Sequence, residues 1–280
     1  MPSSGAKERA SCSRKILSPF AQLMLTLTTD FGLKDPYVGI MKGVIATINR
    51  EVPIIDLTHQ IPPQNILAGR FSLLNSIPYF PRGTIHLAVV DPGVGSERQG
   101  CAIQFSQGFL VGPNNGLFSG ILAQFPPEKI VTLTNPKYWR TQEVSSTFHG
   151  RDIFAPVAAY LATGVPIENL GKEILKEELI DVSFPRPEIK QNTIIGYIQY
   201  IDYFGNLISN IPASRVYNKQ WSVSIKNDNI ESKNTYSESD PQELVAIIGS
   251  HGWIEIAMNQ GNASEALSLN YGDVIKVNLF

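Results

Sequence analysis

In the first half of the chain, apolar runs of strand length keep ending in a polar turn: LMLTLTTDFG at 23–32, VPIIDLTH at 52–59 and GTIHLAVVD at 83–91. Between them stand YVGIMKGVIATIN and NILAGRFSLLNSIPYF. The former spaces Val38, Met41, Val44, Ile45 and Ile48 along one helical face. β-branched runs alternating with helices predict β–α–β units, hence an α/β fold whose N-terminal, mostly parallel sheet is flanked by helices. This rhythm also says where chemistry belongs, because ligands of such sheets gather at the carboxyl ends of the strands. Asp30, His59 and Asp91 occupy those ends.

The texture changes after residue 165. LGKEILKEELIDVSFPRPEIKQNT is charged, holds two prolines and reads as a connector. TIIGYIQYIDYFGN, QWSVSIKN, LVAIIGS, WIEIAMN and DVIKVNLF beyond it are short strands, several with period-two alternation. KNDNIESKNTYSESDPQ among them is polar and reads as a mobile loop. The expected organisation is a disordered tail over 1–23, an α/β domain over 24–170, a linker over 171–190 and a smaller all-β, barrel-like domain over 191–280. The tail carries four basic residues and one acid, with a weak apolar stretch broken by Pro19, and lacks the longer apolar run of a signal peptide. With 280 residues, 43% hydrophobic and 17% charged, the chain can bury two cores. A net charge of −2 and no basic cluster past residue 15 argue against nucleic acid or an anionic membrane surface as partner. No stretch reaches the roughly 20 apolar residues that span a bilayer. Cys12 and Cys101 are too few for a disulfide framework or a metal cluster, which suits a reducing cytoplasm.

Several turns carry polar residues that need explaining. In VVDPGVGSER, Pro92 presets φ at one central position and Gly93 supplies a positive φ at the next, which accounts for a tight bend. It does not account for the charged pair Asp91 and Arg98 on either side of it. Neither a dinucleotide-binding glycine fingerprint nor a Walker loop is present. In STFHGRDIFAP, Asp152 is a candidate N-cap with Pro156 in the first turns, so a helix begins just after His149. A lone histidine there is more often structural than catalytic. Asp30 at a strand end suits ribose hydroxyls or a helix cap equally. IDYFGNLISNI packs Asp202, Phe204 and Asn206 into a turn, either a plain hairpin or an aromatic and an amide presented to a base.

Taken together, TLTTDFGLKDPYVGIMKGVI, IDLTHQI, VVDPGVGSER, VGPNNGLFS, STFHGRDIFAPVAAYLATG, DYFGNLISNI and GWIEIAMNQGNASEAL closely resemble the S-adenosylmethionine hydroxide adenosyltransferases, or SAM hydrolases, whose fold is shared by the fluorinase and chlorinase enzymes. The resemblance runs from about Met24 to the C-terminus. It implies an N-terminal α/β domain and a C-terminal β-barrel assembled as a homotrimer, with substrate between one subunit's N-domain and a neighbour's C-domain. It implies hydrolysis of S-adenosylmethionine to adenosine and methionine by attack of water on C5′ of the ribose, with no cofactor and no metal. It assigns the water to Asp91, Arg98 and His149.

That assignment is chemically reasonable. The sulfonium is already a good leaving group, whereas bulk water has a pKa of about 15.7 and no metal motif is present to lower it. A carboxylate and an imidazole can take up the developing proton, while a guanidinium stabilises hydroxide character without titrating. For substrate contacts the resemblance implies Asp30 on the ribose, Asp202 on the methionine amine, Asn206 on the adenine edge and Phe204 as a stacking aromatic. Ser250, Glu255 and Met258 fall in the block that matches the adenosine-binding segment. Two other functions remain open at this stage. A halogenase would carry tyrosine in place of Asp91 and lack His149; a non-catalytic binder of SAM or adenosine would bind without turnover.

Overall fold

The computed structural model describes residues 23–182, 184–226 and 228–280. The tail expected over 1–23 falls, apart from Leu23, outside the described residues, as does Cys12. The first sheet contains β1 (Leu25–Thr29), β2 (Ile54–Thr58), β3 (Thr84–Val89), β4 (Gly100–Phe105), β5 (Gly108–Pro113), β6 (Pro127–Thr132) and β7 (Lys172–Glu173), in the order β2–β1–β3–β5–β4–β6–β7. β2, β1, β3 and β5 run parallel, and β4, β6 and β7 join with antiparallel pairings. The strand–helix rhythm does not anticipate the β4–β5 hairpin, in which Phe105 pairs with Gly108 across a two-residue connection.

Helices α1 (Tyr37–Ile48) and α4 (Ala155–Ala162) cover one face, α2 (Ile66–Ser76) and α3 (Ser119–Gln124) the other. β1 and β3 are buried along their whole length because both faces are covered, Thr26 and His86 meeting across the pair through a hydrogen bond of 2.8 Å. Leu87 and Val89 pack with Met41, Ile45 and Phe154 on one side; Ala88 and Val90 pack with Leu73, Leu117 and Ile121 on the other. Asn65 caps α2 by accepting the Ala68 N–H at 3.0 Å.

The second sheet contains β8 (Glu188–Lys190), β9 (Thr193–Ile201), β10 (Leu207–Pro212), β11 (Trp221–Ile225), β12 (Asp228–Glu231), β13 (Leu244–Ile248), β14 (Trp253–Met258) and β15 (Val274–Leu279). Its order is β12–β11–β15–β9–β10–β14–β13, with β8 on β9, and all its ladders are antiparallel. A bridge between Ser232 and Ala246 brings the two ends of that order together, so the sheet is nearly closed around Ile198, Val223, Ile254 and Ile275. The polar run 226–242, expected as a mobile loop, instead supplies β12, the bridge and a 3₁₀ turn at Tyr236–Glu238, because Ile230 is buried in the barrel core. Short α5 (Ala263–Leu267) lies against β14.

The connector contributes to both sheets: β7 pairs with β6 and β8 with β9. Phe71 of α2 stacks on Tyr200 of β9 with ring centroids 4.6 Å apart, and Trp253 Nε1 donates to Asn75 Oδ1 at 3.3 Å. No helix among the described residues is long and apolar enough to cross a membrane.

Candidate active site

Asp30 follows β1 and Asp91 lies two residues beyond β3; the two strands are parallel neighbours in which Thr29 pairs with Val89. Both acids therefore emerge at one edge of the sheet. Arg98 reaches that edge from the opposite direction. β4 runs against β5, with Gly100 opposite Pro113, so the start of β4 lies beside the end of β5. Between Asp91 and Arg98 the chain turns through Val94 N–H to Asp91 C=O (3.2 Å) and Ser96 N–H to Gly93 C=O (3.2 Å). The positive φ belongs to Gly95 (+79°), not to Gly93. The reason is packing: a Cβ at Gly95 would lie 2.1 Å from the carbonyl oxygen of Ser146, in the loop that leads to His149.

His149 precedes a π-turn at Gly150–Phe154, closed by Ala155 N–H to Gly150 C=O, that runs into α4. Such wide turns recur at functional sites. Asp152 is inside this turn, not at its cap. Fully buried, it accepts from Arg140 Nε (2.6 Å), Ser145 N–H (2.9 Å) and both Nε and Nη2 of Arg151 (2.7 Å each). Burial alone would raise its pKa, but bonds from Arg151, Ser145 and Arg140 outweigh it and hold the carboxyl far below its ordinary value.

The three expected residues meet. Arg98 Nη2 donates to Asp91 Oδ2 at 2.6 Å and lies 3.0 Å from His149 Nδ1, and the side chains of Arg98 and Asp91 are only 7% and 4% exposed. A guanidinium has no acceptor, so His149 Nδ1 accepts and the neutral ring carries its proton on Nε2. Burial pushes Asp91 above the usual carboxylate value despite Arg98 and His149, with nearby Asp30 adding to the rise. Burial and Arg98 lower His149, opposed by Asp91 and Asp152. Asp91 Oδ1 and Arg98 Nε and Nη1 are buried with no protein partner. An open carboxylate oxygen beside unspent guanidinium donors suits one small molecule that both donates and accepts, such as water. Phe154 lies beneath the guanidinium, 5.4 Å from ring centroid to Cζ. Asp30 gives one oxygen to Gln64 N–H at 2.8 Å. His59 takes no part: it is buried, bonded to Thr29 Oγ1 at 2.9 Å, with Nε2 3.0 Å from Asp56 Oδ1 but off hydrogen-bonding angle.

The other expected residues lie in the barrel. Asp202, Phe204, Asn206 and Met258 line a cavity of about 570 Å³ together with Tyr236, which sequence reasoning did not single out although it is a lone aromatic in a polar run. Asp202 is tied into its own turn, accepting from Phe204 N–H (2.9 Å), Asn206 N–H (2.9 Å) and Asn206 Nδ2 (3.0 Å). Ser250 is exposed on the β13–β14 turn and Glu255 is buried; neither lines the cavity. Arg98 and His149 border a different cavity of about 410 Å³ with Trp139, Val144 and Ile153. Within one chain Arg98 and His149 thus border one space and the barrel residues another, while Asp91 and Asp30 line neither. Among the described residues no group of three or more His, Cys, Asp or Glu side chains could hold a metal ion.

An α/β domain presenting a buried carboxylate–guanidinium–imidazole cluster at its strand ends, joined to a nearly closed β-barrel with its own cavity, defines a two-part enzyme-like architecture. Residues 25–171 match the N-terminal domain of the SAM hydroxide adenosyltransferases and residues 196–276 their C-terminal domain. The chain belongs to that family. It is 35% identical over 262 residues to an (R)-S-adenosyl-L-methionine hydrolase of Salinispora tropica, covering 90% of this chain and 97% of the relative. It is 36% identical over 257 residues to the enzyme of that name from Thermus thermophilus, covering 89% and 97%. A crystal structure of a conserved protein from Thermotoga maritima superposes with a TM-score of 0.85 at 33% identity, over 91% of this chain and 100% of that one. A fluorinase of Nocardia brasiliensis is more distant, 24% identical over 67% of this chain and 71% of its own length.

Proposed function

We propose that the protein hydrolyses S-adenosyl-L-methionine to adenosine and L-methionine, by in-line attack of an activated water on C5′ of the ribose. The observation that carries this is the buried, unpartnered Asp91 Oδ1 beside the unspent N–H groups of Arg98, against His149. Water held there donates one proton to Asp91 Oδ1 and accepts from Arg98. Because His149 Nδ1 is already engaged by Arg98, Asp91 is the proton acceptor, and its raised pKa makes it a stronger base than an exposed aspartate. As the oxygen bonds to C5′, the C5′–S bond breaks and its electron pair stays on the sulfur of methionine. Fixing the water in line with that bond supplies the entropic share of the rate. A carboxylate at position 91 repels halide, which disfavours halogenation.

On this reading Asp30 holds the ribose hydroxyls and the barrel cavity holds the rest: Phe204 against the base, Asn206 on its edge, Asp202 on the amine, Met258 through its backbone, with Ser250 close by. The working unit is a homotrimer in the cytoplasm, one copy's cluster facing a neighbour's barrel cavity. Exposed aromatics support it: Tyr203 and Phe204 are 97% and 71% exposed on the barrel, and exposed Tyr37 meets half-buried Phe31 and Phe148 edge-to-face beside His149.

The test is incubation with S-adenosylmethionine in oxygen-18 water. The label is expected in the 5′-hydroxyl of adenosine, and Asp91→Ala or His149→Ala should abolish its formation. Recovery of intact substrate from the unaltered protein would remove the proposal; supply of chloride yielding 5′-chloro-5′-deoxyadenosine would replace it with the halogenase.

A further inference from the structure

Glu255 stands in the block expected to touch substrate, yet both its oxygens are spent on protein. Tyr236 Oη donates to Oε1 at 2.7 Å and His251 Nε2 lies 3.1 Å from Oε2, with the Glu255 side chain 4% exposed. The backbone N–H of Trp253 donates to His251 Nδ1 at 3.2 Å, which leaves the ring proton on Nε2, directed at Glu255. The ring of His251 is held edge-on by Phe71 of α2, with centroids 6.0 Å apart. The arrangement is tight: a Cβ at Gly249 would lie 2.3 Å from His251 Cε1 and 2.6 Å from Glu255 Oε2.

What this chain of bonds holds is Tyr236. It belongs to a single 3₁₀ turn in a polar run, is 42% exposed, and lines the barrel cavity with Phe204 and Asn206. An aromatic so placed would sweep several rotamers if its hydroxyl were free. We propose that Glu255 and His251 are positioning residues: they fix the phenol of Tyr236 so that its ring is a preformed wall of the cavity for the adenosyl group. This rests on the function proposed above. Glu255 sits on β14, which is paired on both sides by β10 and β13, and is therefore a rigid anchor, whereas Tyr236 belongs to a short 3₁₀ turn outside the strands. The ordering of the ring is done by folding rather than by ligand, so binding does not bear that entropy.

The experiment uses the full chain and reads adenosine affinity by calorimetry alongside kcat and KM for S-adenosylmethionine. Tyr236→Phe keeps the ring and loses the anchor; its adenosine Kd and its KM are expected to rise about tenfold, with kcat within about twofold. Glu255→Gln leaves a neutral amide that can accept from His251 and donate to the Tyr236 oxygen, so it should lose less than Tyr236→Phe. The double variant Tyr236→Phe/Glu255→Gln should be no worse than Tyr236→Phe alone, since both act on the same link. His251→Gln retains an N–H for Glu255 and should rescue what His251→Leu loses. An unchanged Kd in Tyr236→Phe, or additive losses in the double variant, overturns the proposal. Should Glu255→Gln fail to fold, Tyr236→Phe decides. If the unaltered protein binds adenosine but leaves S-adenosylmethionine intact, the hydrolase reading falls and the positioning is judged on Kd alone; if it forms adenosine without binding it measurably, the positioning falls and the hydrolase reading stands.

Discussion

At the scale of the residue, Asp91 lies between opposing influences. Burial and Asp30 raise its pKa; Arg98 and His149 pull it down, and burial wins. His149 moves the other way, below its ordinary 6.5. On the proposed mechanism the active form needs Asp91 ionised and His149 neutral, so kcat/KM should fall as pH drops, with the Asp91 limb above the ordinary carboxylate value of 3.8 and the His149 limb below 6.5. Arg98 holds down both groups. Removing its charge with Arg98→Gln should move that limb to higher pH, and a pH–rate profile reads the shift directly. Asp91→Asn leaves a side chain of the same shape that cannot accept the proton. Its kcat should drop by about 10²–10⁴-fold, measured in single-turnover experiments, with binding of S-adenosylmethionine far less affected.

Among the elements, the segment from Arg140 to Phe154 matters most, because it carries His149 and is held by one carboxylate. Asp152→Asn should lower stability by about 2–3 kcal/mol at neutral pH, at the modest end for a buried pair because Arg140 and Arg151 keep some contact with solvent. The Asp152 pKa is depressed in the fold, so the stability it contributes is present above the unfolded value of 3.8 and is lost as pH falls below it. Thermal melts should therefore show the variant's deficit at pH 7 and a shrinking difference towards pH 2. Sequence had made this aspartate a helix cap. Its partners, the Ser145 amide and the Arg140 side chain, lie seven and twelve positions back and meet it only through the wide turn, which no local rule foresees. The bend at Pro92 misled for a similar reason: the left-handed residue is Gly95 because Ser146 packs on it, a contact between loops distant in the chain. The parallel strands and the acids at their ends were legible because buried strands write themselves as apolar runs. The β4–β5 hairpin was not, although it is the element whose reversed direction delivers Arg98 to the acids. Tyr236 escaped notice because its run is polar in composition, and only the burial of Ile230 and Glu255 reveals that the run is structured.

For the molecule as a whole, Arg98 and His149 border one cavity and the barrel residues another, so on the proposed function a single substrate is served across neighbouring copies. If neighbouring copies share each site, Asp91→Ala and Asp202→Ala, each inactive alone, should restore activity when co-expressed. Random mixing would give about a quarter of the wild-type rate, since a site needs an intact half from each of two copies. Purified variants mixed without subunit exchange should stay inactive, and sedimentation should give three chains per particle. The separation of the two cavities has a corollary for descent and for engineering. On the proposed function, the half that sharpens a water molecule and the half that recognises what it strikes are encoded in consecutive stretches of gene, each with its own core. Grafting a foreign barrel behind this α/β half would redirect the same chemistry to another sulfonium without rewriting a single reactive atom.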